Sequence, residues 1–354
     1  MIRSIVTSVL LLSAFTGFTE EVRWAAPPND FTSASPSIPK GTITRSLEYS
    51  CRYQKRKFSI YTPPGYSKTR AEKYPVLYLH HGIGGNEVAW SGQGSNEGNA
   101  DRIMDYLYAQ DNLDVVPMIV VMPMGNMEGT SPDAWQNFEA VLIEDLAPYI
   151  EANYNGSSDP NMRAIAGLSM GGGQTLNFGY KNPHFFTWIG SFSPAPNTKA
   201  AQTTITDMDA VKNNVHLNYI AVGTSEDAIF QNQARNYHNY LNQNGVSPLY
   251  LQWEQGLGHE RNNWNRQLYH FAQRLFKGIT AMAKPELARI SQTRAAPLTI
   301  QRAIMLGSGS APWGMQIFRE EAGDDITRIF SLDGRTAGTV YRIKAGTTAI
   351  GTGE

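Results

Sequence analysis

The residues Gly167-Leu168-Ser169-Met170-Gly171 place a serine between glycines in a G-x-S-x-G pattern. The apolar run MRAIA precedes it and the helix-forming run GGGQTLNFGY follows it. A sharp turn from strand to helix would present the Ser169 hydroxyl at a sheet edge, and side chains at the flanking positions would clash, so small residues are required there. A serine hydroxyl is a weak nucleophile at neutral pH and needs a base. Of the seven histidines, His259 in QGLGHERNNW is the best placed, because it lies in a Gly-flanked loop just past the apolar run LYLQW. The base needs a carboxylate to fix its tautomer. Asp227, at the end of AVGTSED, is the expected partner because the shorter carboxylate is commoner in that role; Glu226 is the adjacent alternative. Asp227 also suits a helix N-cap ahead of AIFQNQA. Acyl transfer further requires donors for the oxyanion. One is the backbone N–H of Met170, next to the serine. The other is expected from His81-Gly82-Ile83-Gly84-Gly85 after PVLYLH, through the Ile83 amide. That loop lacks the G-K-[ST] or G-x-G-x-x-G spacing of a phosphate cradle.

These residues need a scaffold that brings distant segments to one edge. Strands are expected at 75–80, 116–122, 163–166, 217–222 and 249–253, and an opening hairpin or edge pair over 41–61. Helical spacing of apolar residues marks 137–154, 171–180, 230–242 and 264–277. Apolar strands alternating with helices predict an α/β fold with a mostly parallel central sheet and helices on both faces. Such folds bind ligands at the carboxyl ends of their strands. Trp90, in GGNEVAW, and Trp135, in SPDAW, fall in loops at that edge. Each is either a stacking platform for an aromatic acid or sugar ring, or a loop-packing aromatic.

The segments HHGIGGNEVAW, QNFEAVLIEDLAPYIEANY, MRAIAGLSMGGGQTLNFGY, SFSPAPN, GTSED and GLGH together resemble the esterase-D-like carbohydrate esterases, and among them the feruloyl esterase modules of carbohydrate esterase family 1. The likeness runs from about Gly41 to Lys277. It implies an α/β-hydrolase fold, in which the nucleophile, acid and base follow that order in the chain. It assigns Ser169, Asp227 and His259 to the triad, and Ile83 and Met170 to the oxyanion hole. The implied activity is hydrolysis of hydroxycinnamoyl or acetyl esters on arabinoxylan, with no metal and no organic cofactor. The alternatives are an acetylxylan esterase, an acyltransferase on the same scaffold, a non-catalytic carbohydrate-binding module and an S-formylglutathione hydrolase. The sequence departs from the family at His80-His81, where Leu-His is commoner.

The rest of the chain bounds this reading. Its 354 residues carry 30 Lys+Arg against 31 Asp+Glu, a net charge of −1, so no overall basic field draws in nucleic acid. The single cysteine, Cys51, allows no internal disulfide. Residues 1–19, with Arg3 before an apolar run too short to span a bilayer comfortably, read as a secretory signal peptide, so the protein is expected outside the cell or at its surface. Residues 20–40, rich in Pro and Ser, read as a linker, and 41–284 as the esterase domain. Residues 285–354 read as a small β-module or sorting tail, with β-like runs at 326–332 and 339–343 split by Asp333-Gly334. The expected partner is a feruloylated or acetylated xylan, with no nucleic acid and no membrane span; the number of chains that assemble does not follow from the sequence.

Overall fold

Short apolar runs bounded by turn residues form one eight-stranded sheet. In the computed structural model of the chain, residues 25–33, 35, 37–91, 98–110, 113–126 and 137–278 are described, with four short strands beyond them. The strands of the sheet are β1 (Thr42–Ser50), β2 (Lys55–Thr62), β3 (Val76–His80), β4 (Ile119–Pro123), β5 (Arg163–Leu168), β6 (Trp188–Phe192), β7 (Leu217–Gly223) and β8 (Leu249–Glu254). Their spatial order is β1-β2-β4-β3-β5-β6-β7-β8. The β1–β2 and β2–β4 pairs are antiparallel, and every pair from β4 to β8 is parallel.

The burial of each strand follows its place in this order. Every residue of β3 to β7 is buried, because helices cover both faces. The edge strand β1 instead alternates between exposed and half-buried positions. It also carries a bulge between Thr44 and Leu47, where Ser46 takes φ 53°. Successive side chains on the inner strands feed two separate cores. Val76 and Tyr78 of β3, with Ile220 and Val222 of β7, join one, while Leu77, Leu79, Tyr219 and Ala221 join the other.

Among the described residues, α-helices pack around the strands. They are α1 (Ala100–Tyr108), α2 (Phe138–Val141), α3 (Ala147–Asn153), α4 (Met170–Lys181), α5 (Ala201–Thr204), α6 (Met208–Asn214), α7 (Ala228–Gln243) and α8 (Arg261–Ala272). A wider π-helical turn, Leu142–Leu146, joins α2 to α3, so the helix expected over 137–154 is continuous but unevenly wound. The strands expected in the central sheet are present, with each end within three residues of its expected place. Two elements were not expected. α1 buries Ile103, Met104 and Leu107 on one face, a spacing concealed by the polar residues around it. β6 reads WIGSF, too short and too glycine-containing to stand out as a strand. The stretch read as a linker is also partly docked: Phe31 is buried, its ring edge-on to Tyr269 of α8 at 5.4 Å.

The chain divides into two compact units, Met1–Leu287 and Ala288–Glu354. In the second, β9 (Ala303–Met305) pairs antiparallel with β10 (Phe318–Glu320), and β11 (Ile326–Thr327) with β12 (Tyr341–Arg342). Residues 1–24, expected to include the signal peptide, lie outside the described residues. Among the described residues, no helix is long and apolar enough to cross a membrane.

Packing across the sheet is close enough to test at one atom. A Cβ on Gly190 of β6 would stand 2.6 Å from the Phe271 ring of α8. Gly190→Ala should therefore destabilise the fold by about 1–3 kcal/mol, read as a lower midpoint in equilibrium urea unfolding.

Candidate active site

Ser169, the candidate nucleophile, sits in a strained turn locked from both sides. Ser169 lies between the end of β5 and the start of α4, with φ 52° and ψ −115°. Such a conformation costs an L residue on the order of 1–3 kcal/mol and persists only where its surroundings enforce it. Here the Ser169 N–H donates to the Phe192 carbonyl at 2.9 Å. The Ser169 carbonyl accepts from the Gly173 N–H at 3.0 Å and the Ala195 N–H at 3.1 Å. The glycine pattern has a steric cause: a Cβ on Gly171 would stand 2.6 Å from the His81 carbonyl oxygen, and one on Gly167 2.6 Å from the Gly171 oxygen.

Three loops at the carboxyl ends of β5, β7 and β8 bring the side chains together. His259 Nε2 lies 2.8 Å from Ser169 Oγ. Its Nδ1 lies 2.7 Å from Glu226 Oε2. The imidazole plane is held by the Phe230 ring, stacked at 3.9 Å, and by Trp264, edge-on at 5.0 Å. Glu226 has no side-chain exposure. Its Oε1 accepts from Ser193 Oγ at 2.6 Å, the Gly223 N–H at 2.8 Å and Asn263 Nδ2 at 2.6 Å.

The carboxylate beside His259 is therefore Glu226, and the expectation of Asp227 is corrected. Asp227 is exposed and stands at the N-cap of α7, where its carbonyl accepts from the Phe230 N–H at 3.0 Å. After β7 the chain turns tightly, with the Glu226 N–H reaching back to the Gly223 carbonyl at 3.3 Å. That turn carries residue 226 inward and residue 227 out to solvent. Asp227 thus occupies the N-cap position that its sequence context suggested, although its side chain makes no capping bond.

The expected oxyanion donors lie on two adjoining segments. Met170 is the first residue of α4, so its N–H has no acceptor within the helix. Ile83 sits in a turn closed by the Gly85 N–H on the Gly82 carbonyl at 3.1 Å. Among the described residues, neither the Ile83 nor the Met170 N–H is spent on a protein acceptor. His81 braces the turn: its Nδ1–H donates to the Gly82 carbonyl at 2.7 Å, and its Nε2 accepts from the Gly125 N–H at 3.0 Å. Only a neutral ring protonated at Nδ1 can do both. Burial pushes His81 down to about 4 and the neighbouring His80 to about 3.

The two tryptophans part company. Trp90 is buried, with its indole N–H donating to the His80 carbonyl at 2.8 Å and its ring against Gly98. It packs the loop and offers no stacking face, so that expected substrate contact is withdrawn. Trp135 lies outside the described residues. Sequence reasoning also passed over Ser193, Asn263 and the bracing role of His81. Among the described residues, no group of three or more His, Cys, Asp or Glu is arranged to hold a metal ion.

The chain matches the Esterase family model over residues 52–275. It belongs to that family. The esterase-family chain is 34% identical over 261 residues to an endo-1,4-beta-xylanase/feruloyl esterase of Xylanibacter ruminicola, covering 71% of this chain and 34% of that relative. It is 33% identical over 144 residues to Esterase Rv1288 of Mycobacterium tuberculosis, covering 38% of this chain and 28% of the relative. The chain thus spans about a third of the length of these curated relatives. Two solved structures share its fold. The ferulic acid esterase AmCE1/Fae1A of Anaeromyces mucronatus matches with a TM-score of 0.60 at 22% identity, covering 71% of this chain and 96% of that one. A mutant feruloyl esterase module from Clostridium thermocellum, complexed with sinapinate, matches with a TM-score of 0.60 at 18% identity, covering 74% and 97%. The fold is the α/β-hydrolase fold.

The geometry separates the two neighbouring acids experimentally. Glu226→Gln should slow labelling of Ser169 by an organophosphonate on the order of 10³–10⁴-fold, because the imidazolium loses its partner. Asp227→Asn should label within a few-fold of the parent rate; equal losses in both variants would reject this assignment. A second expectation concerns acid. His80 and His81 resist protons when folded but take them up when unfolded. Their contribution is present above about 6.5 and is lost as the pH falls toward about 4. Urea unfolding should show a lower midpoint at pH 5 than at pH 7.

Proposed function

We propose that the chain is an exported serine carboxylic-ester hydrolase that releases hydroxycinnamic acids, ferulic acid among them, from esterified arabinoxylan. The observation that carries this is the unbroken contact series from Ser169 through His259 to the buried Glu226, beside two uncommitted main-chain N–H groups. His259 Nε2 takes the Ser169 proton as Oγ attacks the ester carbonyl. The N–H groups of Ile83 and Met170 hold the oxyanion while Glu226 stabilises the imidazolium. His259 then returns the proton to the departing sugar alcohol, leaving an acyl group on Ser169. Water, deprotonated by the same imidazole, attacks that acyl group, and collapse frees the acid and restores the serine.

Two further observations support an aromatic or otherwise apolar acyl group over acetyl. Ile83 is 66% exposed and Ile229 49% exposed, and each belongs to a segment that borders the reacting atoms. Ile83 flanks the proposed oxyanion site, while Ile229 lies three residues past Glu226 and next to Phe230, which stacks on His259. Apolar side chains left open there would gain by covering an aryl acid. The similar endo-1,4-beta-xylanase/feruloyl esterase of Xylanibacter ruminicola supports the same substrate class. The apolar N-terminal run after Arg3 supports export.

Three substrates compared by kcat/KM test the reading: methyl ferulate, acetylated xylan and a short-chain aryl acetate. Methyl ferulate should be preferred, and Ser169→Ala should lower its turnover by about 10⁵–10⁶-fold with the fold intact. Preference for acetylated xylan would replace the hydroxycinnamoyl assignment with deacetylation. A Ser169→Ala variant that keeps near-parental turnover would remove the serine from the mechanism.

A further inference from the structure

One buried amide ties the acid to the loop that carries the base. Asn263, in the first turn of α8, is fully buried. Its Nδ2 donates to Glu226 Oε1 at 2.6 Å and to the Gly258 carbonyl at 2.9 Å. Gly258 immediately precedes His259, so the two hydrogens of a single NH₂ group connect the carboxylate to the backbone from which the imidazole hangs. On its other side, Asn263 Oδ1 accepts from Nε2 of Gln267 at 2.7 Å, one helical turn along and also fully buried.

This arrangement fixes the amide's orientation. Turning the Asn263 amide over would aim its oxygen at a carboxylate and a carbonyl, and its NH₂ at the Gln267 donor. The contacts to Glu226 and Gly258 would then both join acceptor with acceptor, in an interior where unpaired polar groups are costly. Space is equally constrained. A Cβ on Gly223 would stand 2.8 Å from Asn263 Nδ2 and would collide with the Leu257 carbonyl. The end of β7, the Glu226 carboxylate, the loop before His259 and the start of α8 therefore meet at Asn263. A glutamate has one more rotatable bond than an aspartate, so its carboxyl group needs more holding. With Oε1 taken by Ser193, Gly223 and Asn263, Oε2 is left facing His259 Nδ1.

We propose that Asn263 is a positioning residue that sets the separation of Glu226 from His259, and hence the reactivity of Ser169, with Gln267 as the lock on its amide. The proposal rests on the ester-hydrolase reading above. A misplacement of about 1 Å in such a constellation costs on the order of 10²-fold in rate.

The test compares Asn263→Leu, Gln267→Leu and the double variant in the full chain. Each is assayed for kcat and KM on methyl ferulate and for the rate of Ser169 labelling by an organophosphonate. Asn263→Leu should lower both kcat and the labelling rate by about 10²-fold, with KM within threefold of the parent. Gln267→Leu should lose about 10-fold, and the double variant should be no worse than Asn263→Leu, because Gln267 acts through Asn263. A folded Asn263→Leu with parental kcat, or a double variant whose losses multiply, overturns the proposal. Should Asn263→Leu fail to fold, Asn263→Asp keeps the shape but sets an acceptor against Glu226, and parental kcat there overturns it equally. If the parent protein is neither labelled nor active on the ester, the underlying reading falls; if the parent is labelled and the variants match it, this inference alone falls.

Discussion

A carboxylate with no access to water needs its lone pairs satisfied by hydrogen-bond donors. Glu226 meets that requirement with four: an imidazole, a hydroxyl, a main-chain amide and an asparagine amide. Each donor comes from a different part of the chain. Ser193 follows β6, Gly223 ends β7, His259 lies after β8 and Asn263 opens α8. The charge at the centre is thus a convergence point that the parallel strand order makes possible. If any of those segments shifted, a buried carboxyl group would lose one of its donors.

The strained serine is the counterpart of that charge. Ser169 is held by main-chain bonds from β6, α4 and the segment after β6, so the end of β6 both enforces the turn and, through Ser193, supplies a donor to Glu226. His81 links the turn that carries Ile83 to the segment after β4. Main-chain bonds and closely held rings thus fix the serine turn, the imidazole and the turn that carries Ile83. Chemistry that depends on developing charge benefits from donors already in place, since no reorganisation is needed as the charge forms.

How far the sequence could be read follows from which features have a purely local cause. The G-x-S-x-G turn has one, because clashes at Gly167 and Gly171 follow from the turn itself. The apolar strands β3 to β5 have one too, in burial from both faces. The identity of the acid has no such cause. Glu226 and Asp227 are adjacent and chemically alike, and only the direction of the turn after β7 decides which faces inward. Trp90 shows the same limit, because an aromatic in a catalytic-edge loop looks identical in sequence whether it packs inward or faces a ligand. Asn263 and Ser193 could not be singled out at all, since their partners lie far away along the chain. β6 and α1 escaped notice because a five-residue strand containing glycine, and a helix with a narrow apolar face, give weak periodic signals.

The bulge in β1 bears on how this sheet meets its surroundings. An outer strand normally offers a straight row of unpaired amides and carbonyls to any other extended chain. At Ser46 the backbone leaves that row, and the charged side chains of Arg45 and Glu48 flank the break. A foreign strand could follow this border for only a few residues before its ladder fell out of step.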